Sequence, residues 1–311
     1  MNTAPFPVDP HLTAIAIAYA NPLETLIADA VLPRVTVGKK EFKYWSYDLG
    51  EAFTIPDTKV GRRGQPSEVS FAGSEATAGC EDYGLDDPIP QDDIDQAPAG
   101  KSPVNRAVEQ ITNLILLDRE VRAAGVVFAA GNYDASCKVT LTGNDQWSDF
   151  TNSDPIDDVL AALEAPLMRP NVAVFGQAAW AKLSVHPKIM KAVHGNAGDT
   201  GIARRQQIAE LFELSQVHVG RALVNTAKKG QTASLARAWG KHAAFLYLDP
   251  TADTRGGITF GFTAEYGSRM AGSQADANIG LRGGQRVRVG ESVKELAVAN
   301  RAGYLVTNAV A

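Results

Sequence analysis

Histidines are the first side chains to inspect for metal binding or proton transfer, and no two of them have a suitable spacing. His186 and His194 are eight residues apart on either side of Pro187, which does not match HExxH or another ligand pattern. Isolated histidines are usually structural or surface residues, so we predict no metal site. The histidines are His11, His186, His194, His218 and His242.

The acidic stretch 81–100 is the second candidate, because clustered carboxylates suit Ca²⁺. Its acids do not have the spacing of a calcium-binding loop, and prolines interrupt them. We therefore expect a solvated turn that leads into a helix. The acids are Glu81, Asp82, Asp86, Asp87, Asp92, Asp93 and Asp95, and the prolines are Pro88, Pro90 and Pro98.

Motifs for nucleophilic catalysis and phosphate binding are missing from the sequence. There is no GxSxG elbow and no GxxxxGKS/T loop, and Gly125, Gly131 and Gly143 are too far apart for GxGxxG. Residues 282–288 form a basic stretch that could touch phosphate, but we interpret it as a solvated or interface strand. Arg204 and Arg205 lie at the start of a predicted helix, where the helix dipole disfavours positive charge. This placement hints at an external partner. The sequence thus predicts no catalytic residue and no cofactor.

Composition and charge exclude several classes of protein. The 311 residues are 45% apolar and 21% charged, which excludes general disorder, and a net charge of −5 argues against a general nucleic-acid binder. Cys80 and Cys137 belong to no CxxC pattern and are expected to be idle, buried thiols. No segment reads as a membrane span or a signal peptide, so we expect a cytoplasmic protein unless it leaves by lysis.

Two features of the first 85 residues make little sense in a lone monomer. Prolines within residues 1–11 predict an extended arm, followed by a short helix in Leu23–Leu32. Phe42–Tyr47 and Val69–Ala72 alternate as strands do and flank a glycine-rich, charged tip. They predict a long two-stranded hairpin, which is only marginally stable in water by itself.

The clearest helix begins at Ser102-Pro103, a good N-cap followed by a proline at the first helical position. Its apolar periodicity extends to about Ala124, so the helix would span on the order of 30 Å. Mixed helix and strand patterns follow residue 150. The predicted helices are 155–163, 177–183, 187–193 and 203–214, and the strands are 171–175, 216–219, 223–226, 242–248, 258–266, 285–289, 291–298 and 301–310.

The order of several motifs resembles the tailed-bacteriophage major capsid proteins with the Hong Kong 97 fold. Arg169–Phe175, followed by Trp180–Leu183 and His186-Pro187, looks like the start of that family's axial domain. Further similar segments are Ile208–Phe212, Val217–Ala222, Ala238–Ala243, Leu246-Tyr247 and the closing Ala302–Val310.

The resemblance implies an α+β fold with a peripheral domain, built on a long spine helix, and a mixed α/β axial domain. Residues 1–38 would be the N-arm and 39–85 the extended β-hairpin loop. Residues 86–154 would form the peripheral domain with its spine helix, 155–280 the axial domain, and 281–311 the return strands of the peripheral domain.

The resemblance also implies a structural protein that is not an enzyme. It would assemble in the host bacterial cytoplasm into hexamers and pentamers of a phage head, an icosahedral shell around double-stranded DNA. Portal, scaffolding and cement or decoration proteins would be its other partners, without a membrane. The arm and hairpin would bury their apolar area between subunits. The expected interface residues are Phe42, Tyr44, Trp45 and Phe53, with Arg62 and Arg63 pairing to a neighbour's acids.

Two departures from the family pattern and two alternatives remain open. No long coiled coil precedes the arm, so scaffolding is assigned to a separate protein. The residues of a covalent Lys–Asn bond cannot be matched, so we expect non-covalent contacts or a cement protein. The alternatives are a soluble α/β enzyme with a dispersed site, using the acids of 81–95 with His186 and His194, and an encapsulin-type compartment shell.

Overall fold

The computed structural model describes residues 26–47, 55, 58–60, 62, 64, 65, 68, 73–98, 102–195, 201–228, 230–254 and 256–311. Seven α-helices lie in these ranges: α1 Ala28–Val31, α2 Gln91–Asp95, α3 Pro103–Val127, α4 Pro155–Glu164, α5 Gln177–Leu183, α6 Pro187–His194 and α7 Arg205–Leu211. The strands are β1 Arg34–Val37, β2 Glu41–Tyr47, β3 Gly73–Gly79, β4 Glu81–Pro90, β5 Lys138–Thr140, β6 Val172–Gly176, β7 Gln216–Gly220, β8 Leu223–Asn225, β9 Leu235–Arg237, β10 Ala243–Leu246, β11 Gly261–Tyr266, β12 Met270–Asp276, β13 Gly284–Ala297 and β14 Gly303–Thr307.

The first sheet is organised around β13, the longest strand. Its order is β1-β11-β13-β12, and β4 pairs with β13 over ten residues, from Glu81 opposite Val293 to Pro90 opposite Gly284. Helix α3 packs on β13 and β4. The core between them consists of Ile89, Ala107, Val108, Ile111, Ile115, Ala271, Val287 and Val289.

The second sheet has the order β5-β14-β10-β6-β7. Every residue of β6 and β10 is buried, as expected for central strands covered on both faces. One face carries the largest apolar cluster of the described residues, which includes Trp147, Phe175, Ile189 and Phe245. The end of the chain belongs to this core, because Val306, Ala309 and Val310 are buried in it.

Helix α3 has the predicted start but a later end. The Ser102 side chain accepts from the backbone N–H of Asn105, and Pro103 occupies the first turn. The helix continues through Gly125 to Val127, three residues past the predicted end. Ala124 and Val127 are buried in tertiary contacts on either side of the glycine, and this packing outweighs the glycine's low helix propensity.

The α/β part of the chain confirms most of the sequence predictions. Helix α5 has the predicted bounds, α4 and α6 differ by one residue at their ends, and α7 is shorter than predicted. Predicted strands 285–289 and 291–298 are one strand, β13, and the predicted strand 301–310 is the shorter β14. Of the predicted helix 23–32, the described part is helical over Ala28–Val31.

The sheets divide the chain differently from the implied domain boundaries. Strands β11 and β12 lie within residues 155–280 but pair in the first sheet with β13. Strand β14 lies within 281–311 but is bonded between β10 and β5 in the second sheet. Each sheet is therefore assembled from segments that are far apart in sequence.

Candidate functional site

The predicted hairpin of residues 39–85 is present as β2 and β3. The two strands pair antiparallel from Glu41 opposite Gly79 to Tyr47 opposite Gly73, and Lys43 forms an ion pair with Glu75 across them. The predicted second strand, Val69–Ala72, falls outside the described residues, and β3 begins at Gly73. At the base of the hairpin Lys40 Nζ lies 2.5 Å from Asp82 Oδ2.

The predicted interface residues have different surroundings. Phe42 is 9% exposed and packs with Val37 and Phe262 in the subunit's own core, so little of its side chain remains for a neighbour. Tyr44 is half-buried against the same cluster, and Arg62 is exposed. Trp45 lies on β2 opposite Glu75, but its side chain falls outside the described residues, as do Phe53 and Arg63.

Exposed apolar residues mark the part of the hairpin between its strands. Ile55 is 91% exposed and Val60 is 45% exposed. Lys59 and Glu68 are exposed as well. These exposed apolar side chains are available for contact with another chain.

A buried carboxylate joins the end of the N-terminal arm to the spine. Glu120 of α3 is fully buried and accepts from the backbone N–H groups of Ile27, at 2.7 Å, and Ala28, at 2.9 Å. Its Oε1 also accepts from Trp239 Nε1 at 2.6 Å. Burial raises the pKa of Glu120, although its hydrogen bonds favour the charged form. The Glu120 side chain therefore ties the start of α1 to α3.

Glu120 and Trp239 together form a joint between the arm, the spine helix and the second sheet. Trp239 is fully buried beside the second sheet and packs directly over Gly220, where a β-carbon would lie 2.1 Å from its ring. Its ring also meets Phe128, at the end of α3, edge-on at 5.5 Å. One residue thus connects the arm, the spine helix and the second sheet, and only glycine fits at position 220.

A network of arginines and carboxylates connects the same arm to the first sheet. Arg34 lies 2.8 Å from Asp29, 2.7 Å from Glu265 and 3.1 Å from Glu291. Burial alone would raise the pKa values of Asp29 and Glu291, but the neighbouring guanidiniums hold both below their ordinary values. The remaining pairs are Arg119 with Asp29 and Glu295, Arg122 with Asp118 and Glu295, and Arg269 with Glu291.

The expectation of a solvated turn in residues 81–100 is wrong for its first half. Residues 81–90 form β4, and α2 follows it. The acids of β4 face the basic residues of β13: Asp86 accepts two hydrogen bonds from Arg288, each 2.6 Å long, and Glu81 pairs with Lys294 at 2.6 Å. The acidic stretch and the basic stretch therefore neutralise each other.

His186 and Ser153 are close together but are not arranged for nucleophilic catalysis. His186 is buried and caps α6: its Nδ1 accepts from the backbone N–H of Lys188 at 3.3 Å. The proton of the neutral ring is then on Nε2, 3.1 Å from Ser153 Oγ, which donates to the Asp149 carbonyl instead. His194 is exposed at the other end of α6. Burial lowers the pKa of His186.

No further chemical centre lies within the described ranges. No group of three or more histidine, cysteine, aspartate or glutamate side chains there could hold a metal ion. Cys80 and Cys137 are both free and buried, as predicted. In the same part of the chain, no helix has the length and apolar character needed to cross a membrane.

Comparisons with known proteins agree on one class. The profile of the family described as "Phage major capsid protein E" matches residues 128–275. The curated "Major capsid protein" of Pseudomonas phage JBD67 is 54% identical over 311 residues, covering the whole of both chains.

Solved structures share the fold. A phage-related protein from Bordetella bronchiseptica RB50 has a TM-score of 0.74 and 24% identity, with 97% of each chain covered. The capsid protein of Cyanophage P-SCSP1u has a TM-score of 0.56 and 9% identity, with 99% of this chain and 92% of that chain covered. The capsid of a native GTA particle also has a TM-score of 0.56, with 12% identity and 98% and 94% covered.

Proposed function

The chain belongs to the phage major capsid proteins, structural proteins of the virion head with the Hong Kong 97-like α+β fold, and on that premise we propose how it assembles. It self-associates into hexamers and pentamers that close an icosahedral shell around double-stranded DNA. Assembly takes place in the host bacterial cytoplasm, with portal, scaffolding and cement or decoration proteins of the same phage as partners. The high identity to a phage protein favours this function over an encapsulin-type compartment and over an enzyme.

The β2–β3 hairpin is the observation that carries the proposal. Its two strands carry exposed residues such as Lys43 and Glu75, and a two-stranded hairpin of this kind gains little stability from itself. A neighbouring subunit supplies the missing contact surface. Obligate interfaces of this type commonly bury more than about 2,000 Å². Within this interface Tyr44, Trp45 and Phe53 supply apolar contacts, and Phe42 contributes mainly to the base of the hairpin.

Arg62 and Arg63 at the hairpin tip pair with acids of the neighbour. Arg62 is exposed in the isolated subunit. Charge pairs at the rim of an interface select the correct register and speed encounter more than they add affinity. They suit a shell in which the same hairpin must find its place on every neighbour.

We assign three mechanical roles to the chain. Residues 1–38 and 39–85 link subunits. Residues 86–154 with the spine helix stiffen the periphery together with β13 of the returning 281–311 and with β11 and β12, and the rest of 155–280 meets its copies at the symmetry axes. The joint at Glu120 and Trp239 supports this division, because it gives the linking arm a rigid starting point on the spine. The DNA faces the inner surface without sequence-specific contacts, in keeping with the net charge of −5.

Deleting Gly61–Gln65 tests the role of the hairpin. The subunit should stay folded and soluble, with an unchanged circular dichroism spectrum, but should no longer form shells in negative-stain micrographs. A control variant replaces the same five residues with glycine and serine, which keeps the length and removes Arg62 and Arg63. Normal shells from the deletion variant would refute the proposed linking role.

A further inference from the structure

The small hairpin β8–β9 stands apart from both large sheets and exposes two leucines. Leu223 is 43% exposed and Leu235 is 64% exposed. In the antiparallel register Leu223 lies opposite Arg237 and Asn225 opposite Leu235, so both leucines share one face with the arginine. Lys228 is exposed at the tip. This face combines apolar and basic side chains and is open to solvent in the described part of the subunit.

Helix α4 presents a surface of the opposite charge. Val159, Ala162 and Leu163 are buried in the core of the second sheet and hold the helix in place. Its outer face carries residues at the i, i+3, i+4, i+7 spacing of one helical stripe, and Leu160 in this stripe is 48% exposed. The members of the stripe are Asp157, Leu160, Ala161 and Glu164, all exposed.

Several carboxylates lie close together around α4. The pKa of Asp158 is raised, first by its burial and then by the nearby carboxylates of Asp154, Asp145 and Asp157. Lys188 compensates Asp154 at 2.8 Å, and Trp147 Nε1 donates to Asp158 at 2.8 Å. Asp157 and Glu164 remain on the solvent side of the helix.

The two surfaces lie toward opposite edges of one sheet. The small hairpin follows directly after β7, the edge strand that pairs only with β6 in the second sheet. Helix α4 packs on β14, which lies next to β5 at the other edge. Two complementary surfaces on opposite sides of a subunit can generate a head-to-tail contact, which closes into a ring when the rotation between copies is closed.

We propose that the β8–β9 face of one subunit docks on the α4 stripe of the next copy around a ring. Leu223 and Leu235 cover Leu160 and Ala161, while Arg237 and Lys228 meet Asp157 and Glu164. Through these residues the axial regions of neighbouring subunits recognise each other. This docking contact rests on the self-assembly proposed above. Complementary charge at such a contact orients the two surfaces and rejects the inverted arrangement.

A pair of cysteine substitutions tests the proximity directly. The variant carrying both Leu160→Cys and Leu235→Cys should give, under mild oxidation of assembled particles, a ladder of covalent oligomers on a non-reducing gel. Each single variant should give none, and the wild type should give none because Cys80 and Cys137 are buried. Normal shells without a ladder from the double variant would overturn the proposal, as would covalent dimers from Leu235→Cys alone, which indicate a two-fold contact.

Charge reversal tests the recognition. Arg237→Glu with Lys228→Glu should raise the protein concentration for half-assembly by roughly tenfold or more, and Asp157→Lys with Glu164→Lys should do the same. Combining all four changes should restore assembly. Glu109→Lys, on the exposed face of α3, is a charge-reversal control away from both surfaces and should assemble normally.

These outcomes separate the docking contact from the proposed function. Failure of the wild type to form any shell, also when it is co-expressed with the scaffolding protein of the same phage, refutes the proposed function itself. Shells that form equally well in both reversal sets leave that function intact and overturn the docking contact. A third outcome is that reversal of the exposed acids Asp92 and Asp93 in α2 restores assembly of the Arg237→Glu, Lys228→Glu variant where reversal of the α4 stripe does not. That result would place the docking surface for the β8–β9 hairpin on α2 and would likewise overturn the proposal.

Discussion

Different kinds of contact hold the strands together in the two large sheets. In the second sheet the central strands β6 and β10 are buried along their whole length and pack through apolar side chains. In the first sheet, β4 and β13 are matched by a series of charge pairs, and arginines and carboxylates are buried where the arm crosses it. We therefore expect the second sheet to contribute most of the stability and the first sheet to set the register of the linking segments.

The physical basis of the difference is the strength of each contact. Burying an aromatic side chain removes a large apolar area from water, whereas an exposed ion pair gains little because water screens it. A buried charge behaves differently. It is tolerated while its ion-pair partners are present, and removing a partner is strongly destabilising. Each class of contact predicts its own response to mutation.

The largest loss should follow Phe175→Ala in the second sheet. Phe175 is fully buried and touches the rings of Trp147, Trp180 and Phe245. Removing the ring leaves a cavity, and the free energy of unfolding should fall by about 3–5 kcal/mol, measured by urea unfolding of unassembled subunits. Leu281→Ala is the control, because Leu281 is fully exposed and its loss should change little. A cost for Phe175→Ala under about 1 kcal/mol would contradict the role of this sheet as the main core.

Glu120→Ala should come second and should affect the joint between the sheets. It leaves the N–H groups of Ile27, Ala28 and Trp239 buried without an acceptor, so we expect a loss of about 3 kcal/mol in unfolding free energy. Glu120→Gln should cost less because its amide oxygen still accepts. Faster hydrogen exchange at Ile27 and Ala28 would locate the effect at the arm. Glu109→Ala on the same helix should be nearly neutral, and equal effects of both alanine variants would show that Glu120 has no special role.

Acid should weaken the second-sheet region before the first. Burial lowers the pKa values of His186, His218 and His242 from the ordinary 6.5, so the unfolded chain binds more protons there. Their stabilising contribution is complete above pH 6.5 and declines as the pH falls below it. The lowered pKa values of Asp29 and Glu291 place the loss from the ion-pair network at a pH below the ordinary carboxylate range.

The raised pKa of Glu120 acts in the opposite direction, since protonation relieves the cost of its burial as the pH falls. The test compares urea midpoints at pH 7.5 and 5.5 for the wild type and for His186→Asn, which keeps an N-capping side chain without a titrating ring. The variant should lose less stability than the wild type. An identical pH dependence would exclude His186 as a contributor.

The smallest effect should follow Asp86→Ala in the first sheet. Its two hydrogen bonds to Arg288 are well aligned, but the Arg288 side chain is 44% exposed. A double-mutant cycle with Arg288→Ala should give a coupling free energy of about 0.2–1 kcal/mol between the two side chains, measured by urea unfolding. A coupling as large as the cost of Phe175→Ala would remove the distinction between the two sheets.

The sequence was informative where local signals and tertiary packing agree. Ser102-Pro103 marked the start of α3, and Asp154-Pro155 marked the start of α4 with the same chemistry. The predicted hairpin was correct in its first strand because Phe42–Tyr47 is aromatic and alternating. The second strand, Gly73–Gly79, consists of glycine, serine, alanine, threonine and one acid, a composition that does not favour a strand. It forms a strand because it pairs with β2.

Strand β4 shows why long-range partners escape local reasoning. Its acids and prolines predict a turn, yet Pro88 and Pro90 are tolerated because β4 pairs only with β13 and so lies at an edge. The partner that neutralises its acids lies some two hundred residues away in sequence, as with Asp86 and Arg288. The role of Glu120 was missed for the same reason: a glutamate within a helix gives no local sign of burial.

The position of β14 has a consequence for the order of events during synthesis. The second sheet needs Gly303–Thr307 between β10 and β5, and the backbone N–H of Trp147 donates to the carbonyl of Ala309 at 2.8 Å. The main core therefore closes only after β14 has been synthesised, because this strand separates β10 from β5. We expect a chain that stops before Gly303 to leave the second sheet incomplete, so the core would form late during synthesis.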